Sequence, residues 1–176
     1  MHKDVKEILF SGDEISKRCK ELGQEIVNDY QGKEVLLIGL LKGSVPFLAE
    51  LSKYIELDVE FDYMDVSSYE GVESHSITIK KDLDREVKGK DILIVEDILD
   101  TGKTLTTVKA MLLERGAASV EIATMLDKKE GRTYPIEAKY VGFEIPNAFV
   151  IGYGLDFNEK YRNLPYVGIL KEECYQ

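Results

Sequence analysis

Residues 96–104 carry the side chains of this chain that are best suited to chemistry. Glu96 and Asp97 end an apolar run that begins at Ile92, Asp100 follows, and Thr101-Gly102-Lys103-Thr104 comes next. Neighbouring carboxylates can accept hydrogen bonds from a vicinal diol or hold a hard cation. Backbone N–H groups and hydroxyls at the start of a helix bind anions. A diol site beside a phosphate site predicts a ribose 5-phosphate ligand.

The segment 100–104 also resembles the end of a triphosphate-binding P-loop. That motif requires a glycine at the position that Asp97 occupies in this chain. The P-loop interpretation therefore fails. A purely structural interpretation stays open, in which Glu96 and Asp97 cap the loop while Thr101 and Thr104 cap the following helix.

A parallel α/β sheet would bring these residues to the carboxyl end of a strand. Residues 34–40 and 92–95 are continuously apolar, which is typical of strands covered on both faces. Ser11 begins a capping box, and the helical spacing of the apolar residues after it predicts a helix that ends near Gly32. Further helices are predicted from 44 and over 105–115, and further strands over 58–67, 77–79, 120–125, 140–143 and 149–151. This alternation predicts ligand binding outside the carboxyl ends of the strands.

Composition and charge limit the kinds of partner. The chain has 176 residues, enough for one domain, and a formal net charge of −10. That charge repels phosphate backbones and anionic lipid, so we expect neither a nucleic-acid nor a membrane partner. Cys19 and Cys174 lie near opposite ends without a C-x-x-C pair, which excludes a zinc finger or a disulfide framework. No signal peptide is visible in the N-terminal residues, so we expect a cytoplasmic location.

The segment Val95–Thr104 resembles the phosphoribosyl-diphosphate (PRPP) binding motif of the type I phosphoribosyltransferases. From about Leu36 to Leu170 the chain is similar to one subgroup, the hypoxanthine-guanine phosphoribosyltransferases. The resemblance implies an α/β fold with a mainly parallel central sheet flanked by helices. It also implies a single domain over 1–176, with a mobile lid at about 68–75. Parts of the N- and C-terminal segments would form a small hood.

The resemblance also implies how PRPP is held. Glu96 and Asp97 would hold the ribose hydroxyls, and Thr101, Gly102, Lys103 and Thr104 would cradle the 5-phosphate. Asp100 would also lie at the PRPP site and would act as the general base beside purine N7. The pyrophosphate would lie against Leu41, Lys42 and Gly43, with a cis peptide before the lysine, and against Arg162.

For the purine, the lid and the metal, the resemblance implies a further set of residues. Lys128 would donate to the 6-oxo group, Phe149 would stack on the ring, and Val150 and Asp156 would read the base edge. Ser68 and Tyr69 would close over the reacting centre. Mg²⁺ would be held by Glu96, Asp97 and Asp156.

The residue types alone leave simpler interpretations open. The stretch 41–44 would be a plain turn and 68–74 a solvated hairpin tip. Lys129 could replace Lys128, Phe149 could belong to the core, and Arg162 could form a surface salt bridge.

The activity that the resemblance implies is transfer of the phosphoribosyl group from PRPP to N9 of hypoxanthine or guanine. The products would be IMP or GMP and pyrophosphate, with Mg²⁺ as cofactor and a homodimer or homotetramer as the assembly. One alternative is a related enzyme that uses xanthine. Another is a regulator of the same fold that binds RNA, which predicts a basic face and is disfavoured by the net charge of −10.

Overall fold

The computed structural model describes residues 1–68 and 77–175. Its helices are few and its strands are mostly short. In chain order the elements are β1 (Val5–Phe10), α1 (Gly12–Asp29), β2 (Val35–Leu40), α2 (Val45–Ser52), β3 (Val59–Ser68), β4 (Ile77–Lys81), β5 (Asp91–Leu99), α3 (Lys103–Glu114), β6 (Ser119–Asp127), β7 (Tyr140–Glu144), β8 (Val150–Ile151) and β9 (Val167–Leu170), with short 3₁₀ turns at Lys129–Gly131 and Glu172–Cys174.

The main sheet has six strands in the order β4-β3-β2-β5-β6-β7. Five strands, β3, β2, β5, β6 and β7, pair parallel with one another, and β4 pairs antiparallel with β3 as a hairpin arm. Every residue of β2 is buried, as its uninterrupted apolar sequence predicts. The predicted parallel α/β architecture is therefore confirmed.

Helices cover both faces of this sheet. Leu37 and Leu93 point to the face that packs against α1 and α2, while Leu36 and Ile92 point to the face that packs against α3. The alternation follows from the two-residue period of a strand. The capping box at Ser11 is present at the start of α1, so the local signal for that helix is confirmed.

A second, three-stranded sheet joins the two ends of the chain. Its order is β1-β9-β8, and all its pairings are antiparallel. Val5 pairs with Leu170 in this sheet, and both side chains are buried. The sequence predicted the strand near 150 but missed β1 and β9.

Strand β3 buries a charged side chain beside an apolar one. Phe61 is exposed, whereas Asp62 and Met64 are buried. The buried Asp62 carboxylate accepts hydrogen bonds from the backbone N–H groups of Asp84 and Arg85, each at 2.9 Å. These bonds replace the water that the carboxylate loses. In the described residues, no helix is long and apolar enough to cross a membrane.

Candidate active site

A cleft of about 300 Å³ lies at the carboxyl ends of β2 and β5. The loop after β2 forms one wall, the loop after β5 forms another, and a C-terminal arginine contributes to the lining. Of the residues that the sequence analysis singled out, the cleft is lined by Leu41, Lys42, Gly43, Glu96, Asp97, Asp100, Thr101, Gly102, Lys103, Thr104 and Arg162. The sheet therefore brings the predicted PRPP residues together.

The first turn of α3 opens directly into this cleft. Gly102 is the N-cap residue with φ of 84°, and no side chain caps the helix there. A side chain at Gly102 would be strained by that φ and would meet the side chain of Ile136. Glycine thus allows the positive end of the helix dipole to face the cleft, as an anion site requires. The N-cap residue is Gly102 and not Thr101 or Thr104, but Thr101 Oγ1 accepts a hydrogen bond from Lys103 N at 3.3 Å, so a capping role for Thr101 stays open.

Glu96 and Asp97 lie within β5 and not in the loop after it. Asp97 N donates to Glu96 Oε1 at 3.0 Å, and Ile98 N donates to Asp97 Oδ1 at 2.8 Å. Burial, then the neighbouring Asp97 charge, raises the pKa of Glu96 well above its usual range. Burial also raises the pKa of Asp97. Two adjacent carboxylates that are disfavoured as bare anions would be stabilised by hydroxyl donors or a cation.

The loop after β2 approaches Asp97 very closely. The Leu41–Lys42 peptide is cis, which agrees with the family resemblance. A Cβ added at Gly43 would overlap the Asp97 carboxylate, and one added at Gly154 would overlap the Gly43 carbonyl. The loop is therefore held between β5 and the C-terminal loop, and glycine is needed for this approach.

Asp100, which lines the cleft, forms an ion pair with Lys128. Leu99 and Asp127 are register partners at the ends of β5 and β6, so the next residues on both strands are neighbours. Lys128 Nζ lies 3.3 Å from Asp100 Oδ2, with side-chain exposures of 13% and 46% respectively. A proton acceptor and a cationic donor therefore stand side by side. Lys129 instead pairs with Glu144 on the surface.

Arg132 binds the backbone of the loop that carries Asp100. The sequence analysis did not identify this arginine. Its Nε donates to the Asp100 carbonyl at 2.9 Å, and its Nη1 donates to the Ile136 carbonyl at 2.6 Å. Its Nη2 forms an ion pair with the buried Asp127. An arginine in a turn carries no local signal for this role, because the role depends on contacts with other strands and loops.

A charged loop at 154–162 reaches the cleft from the C-terminal side. Arg162 Nη2 lies 3.0 Å from Asp156 Oδ1, and Arg162 Nη1 donates to the Gly154 carbonyl at 2.7 Å. Glu159, which the sequence analysis also missed, contacts Arg162 at 3.3 Å and Lys42 at 2.7 Å. The hydrogen bond from Lys42, and then that from Arg162, lowers the pKa of Glu159.

The three predicted magnesium ligands are not gathered into one cluster. Glu96 and Asp97 line the cleft, whereas Asp156 is not among the described residues that do. The Asp156 carboxylate contacts Arg162 and accepts from Glu159 N at 2.9 Å. Within residues 1–68 and 77–175, no three acidic, histidine or cysteine side chains form a site that could hold a metal.

The predicted base-stacking residue lies on an aromatic surface. Phe149 is 39% exposed, so its assignment to the core is wrong. Its ring stacks on Tyr175 with centroids 5.1 Å apart and meets the edge of Phe157 at 5.5 Å. Val150 is buried in β8 and pairs with Ile169.

The predicted lid lies almost wholly outside the described residues. Tyr69 and the rest of the stretch 69–75 are not described. Ser68 is the last residue of β3 and pairs with Ile77 in β4. The lid therefore stays a prediction.

Comparison with known proteins identifies the family. A family model described as a phosphoribosyl transferase domain matches residues 6–158. A hypoxanthine-guanine phosphoribosyltransferase of Streptococcus pneumoniae (strain ATCC BAA-255 / R6) is 54% identical over 99% of this chain and 98% of that protein. One from Streptococcus thermophilus (strain CNRZ 1066) is 53% identical over the same shares. The crystal structure of a hypoxanthine phosphoribosyltransferase from Staphylococcus aureus has a TM-score of 0.97 and 49% identity, covering 100% of this chain and 97% of that one.

The chain belongs to the phosphoribosyltransferase family. Its match to the curated relatives extends over nearly the full length of both proteins. Within the family it is an enzyme of the hypoxanthine-guanine phosphoribosyltransferase group, and these enzymes are pentosyltransferases. The type I phosphoribosyltransferase fold predicted from the sequence is confirmed.

Proposed function

We propose that this enzyme transfers the 5-phosphoribosyl group from PRPP to N9 of hypoxanthine or guanine in purine salvage. The products are IMP or GMP and pyrophosphate, and the reaction depends on Mg²⁺. The observation that carries the proposal is one cleft, which combines an anion-binding helix start, a pair of acids and two cations beside an acceptor–donor pair. The full-length similarity to enzymes of that name supports the same conclusion.

PRPP binding in this proposal uses each wall of the cleft for a different group. The start of α3, at Thr101–Thr104, takes the 5-phosphate. Glu96 and Asp97 accept hydrogen bonds from the ribose hydroxyls. Lys42 and Arg162 face the pyrophosphate, whose negative charge grows as its bond to the ribose C1′ breaks. Binding at three points also orients C1′ toward the incoming base.

Asp100 and Lys128 together recognise the purine. Hypoxanthine and guanine carry the O6 acceptor next to N7 on one edge of the base. Lys128 donates to O6, and Asp100 takes the N7 proton as N9 bonds to C1′. Adenine would turn an amino donor toward the Lys128 donor, which leaves both groups without an acceptor. Phe149 offers a ring face for stacking, and Val150 and Asp156 read the opposite edge.

The donor set of the cleft fits Mg²⁺ bound jointly with substrate. Magnesium in such sites usually takes one or two carboxylates and completes its shell with water and phosphate oxygens. Glu96 and Asp97 are adjacent oxygen donors that a cation would stabilise, and Asp156 would contribute through water. The ion would supply positive charge that offsets the charge of the departing pyrophosphate.

The same proposal includes features that rest on the family resemblance. Ser68 and Tyr69 close over the reacting centre and exclude water, which would otherwise capture the ribosyl cation. The enzyme works in the cytoplasm as a homodimer or homotetramer.

A parallel assay of five bases tests the proposal and its alternatives. Hypoxanthine, guanine, xanthine, adenine and uracil are each supplied with PRPP and Mg²⁺, and ultraviolet change and pyrophosphate release are followed. We expect turnover with hypoxanthine and guanine, and none with adenine or uracil. Turnover with xanthine alone would support the xanthine enzyme. No turnover with any base, in folded protein that binds PRPP, would support the RNA-binding regulator.

A further inference from the structure

Glu159 bridges the two cations that face the pyrophosphate position. Its Oε2 lies 2.7 Å from Lys42 Nζ, and its Oε1 lies 3.3 Å from Arg162 Nη2. Lys42 belongs to the loop after β2 and Arg162 to the C-terminal loop, so the carboxylate connects two separate walls of the cleft. Each of its oxygens therefore occupies one of the donors that the substrate anion needs.

The bridge is exposed and exchangeable. Lys42 and Glu159 have side-chain exposures of 63% and 64%, so water and salt reach both groups. An exposed ion pair of this kind contributes little to stability. A diphosphate carries several charges and more acceptor oxygens than one carboxylate, so it competes well for the same donors.

Arg162 retains the capacity for a further acceptor while this bridge is in place. Its Nε is buried and has no hydrogen-bond partner among the described residues. Its Nη1 is fixed on the Gly154 carbonyl and its Nη2 lies between Asp156 and Glu159. The guanidinium is therefore held in position but is not saturated.

The backbone at Glu159 adopts an unfavourable conformation that places its side chain between Lys42 and Arg162. Asn158 and Glu159 have φ of 51° and 62°, in the left-handed region that non-glycine residues rarely adopt. Glu159 N also donates to Asp156 Oδ2 at 2.9 Å. The loop is thus built to present the Glu159 carboxylate between Lys42 and Arg162.

We propose that Glu159 is a resident counter-anion of the pyrophosphate subsite, which the diphosphate group of PRPP displaces on binding and which returns as pyrophosphate leaves. This inference rests on the proposed function, because it takes the diphosphate to lie between Lys42 and Arg162. The carboxylate keeps the two cations ordered in the free enzyme. It also weakens the binding of pyrophosphate and so promotes product release.

Calorimetric titration of Glu159→Gln with three ligands tests this role. PRPP and inorganic pyrophosphate, each with Mg²⁺, probe the subsite, and IMP probes binding that leaves the subsite empty. Glutamine keeps the size of the side chain and the same backbone preference. We expect PRPP and pyrophosphate to bind about 3- to 10-fold more tightly at low salt, with IMP unchanged. The gain should shrink as ionic strength rises.

Glu60→Gln is the matched control. Glu60 also bridges a lysine and an arginine, at 2.6 Å from Lys90 and 3.4 Å from Arg85. It lies near the start of β3, at the end of the sheet opposite to the cleft. The variant changes net charge by the same amount, so a general charge effect would appear in both variants. We expect its affinities to equal those of the wild type.

Each outcome of the titration decides a separate point. If the wild type fails to bind PRPP, the proposed function fails and this inference fails with it. If the wild type binds PRPP and Glu159→Gln binds it no more tightly, only the counter-anion role is wrong. Weaker binding by Glu159→Gln would overturn the role as well, since it would mean that the carboxylate only positions Lys42 and Arg162. An equal gain in Glu60→Gln would do the same.

Discussion

Lys128 Nζ lies 3.3 Å from Asp100 Oδ2, and the register of two parallel strands places them there. Leu99 of β5 pairs with Asp127 of β6, and Lys128 N donates to the Leu99 carbonyl at 3.0 Å. The acid and the lysine are thus fixed to the ends of neighbouring strands in the central sheet. Rigid elements of this kind hold functional groups more accurately than free loops do.

Asp100→Asn should slow turnover while leaving PRPP binding nearly intact. Asparagine keeps the shape of the side chain but cannot accept the N7 proton, so kcat should fall by about 10²- to 10⁴-fold. Steady-state kinetics with hypoxanthine and a PRPP titration measure the two effects separately. Asp84→Asn is the control, because Asp84 also lies 3.3 Å from a lysine, Lys81, but its side chain is exposed on the surface. Unchanged turnover in Asp100→Asn would remove this residue from the proton step.

Lys128→Ala should weaken the use of 6-oxopurines and spare PRPP. Loss of a hydrogen bond from a charged donor should lower kcat/KM for hypoxanthine by about 10- to 150-fold. Lys129→Ala is the matched control, because Lys129 is its sequence neighbour and pairs with Glu144 on the surface. We expect little change there. Equal losses for the two variants, or equal losses for purine and PRPP, would contradict the assignment of O6 to Lys128.

Gly43→Ala should damage the site more than the fold. The added methyl group overlaps the Asp97 carboxylate, which is the mobile end of a side chain and can rotate away. A displaced Asp97 can no longer meet the ribose hydroxyls, so kcat/KM for PRPP should fall by about 100-fold. The free energy of unfolding should change by less than about 1 kcal/mol. A large loss of stability with normal activity per folded molecule would show that the close approach is structural only.

Arg132→Met should destabilise the protein, because it leaves the buried Asp127 carboxylate without its charged partner. Asp127 is buried and pairs with Arg132, and removal of one partner of a buried pair costs about 3–5 kcal/mol. Arg115→Met is the control, because Arg115 forms a two-point pair with Asp82 that is partly exposed. That variant should lose less than about 1 kcal/mol. Urea unfolding measures both, and similar small losses would contradict the buried-pair account.

Cys19 should be unreactive in the folded protein. Burial, and then the negative charge of Glu50, raises the pKa of its thiol to about 12. At pH 8 only about one molecule in 10⁴ would carry the thiolate, which is the form that reacts. Ellman's reagent should therefore titrate Cys174 quickly and Cys19 only after denaturation. In a Cys174→Ser variant, a fast reaction in the native state would show that Cys19 is accessible.

Local signals in the sequence were sufficient for the elements around the cleft. The capping box at Ser11 and the apolar run of β2 each depend on residues close in sequence, and each is present. The loops after β2 and β5 could be located for the same reason. Helix α3 begins at Lys103, two residues before the predicted Leu105, because Gly102 serves as its N-cap.

Features that depend on distant contacts could not be read from the sequence. The small sheet pairs Val5 with Leu170, and neither β1 nor β9 has a regular apolar alternation that would mark it alone. Arg132 reaches Asp100 across 32 positions, and Lys42 meets Glu159 across 117. Such partners become visible only when the fold brings them together.

The most direct test of the central claim is pyrophosphate release from PRPP and Mg²⁺ by the wild-type protein, measured with and without hypoxanthine. Release that requires hypoxanthine and matches the IMP formed, one to one, is the predicted result. No release with hypoxanthine present would contradict the transferase assignment. Release at the same rate without the base would mean that water is the acceptor. The assignment of Asp100 and Lys128 to purine binding would then be wrong.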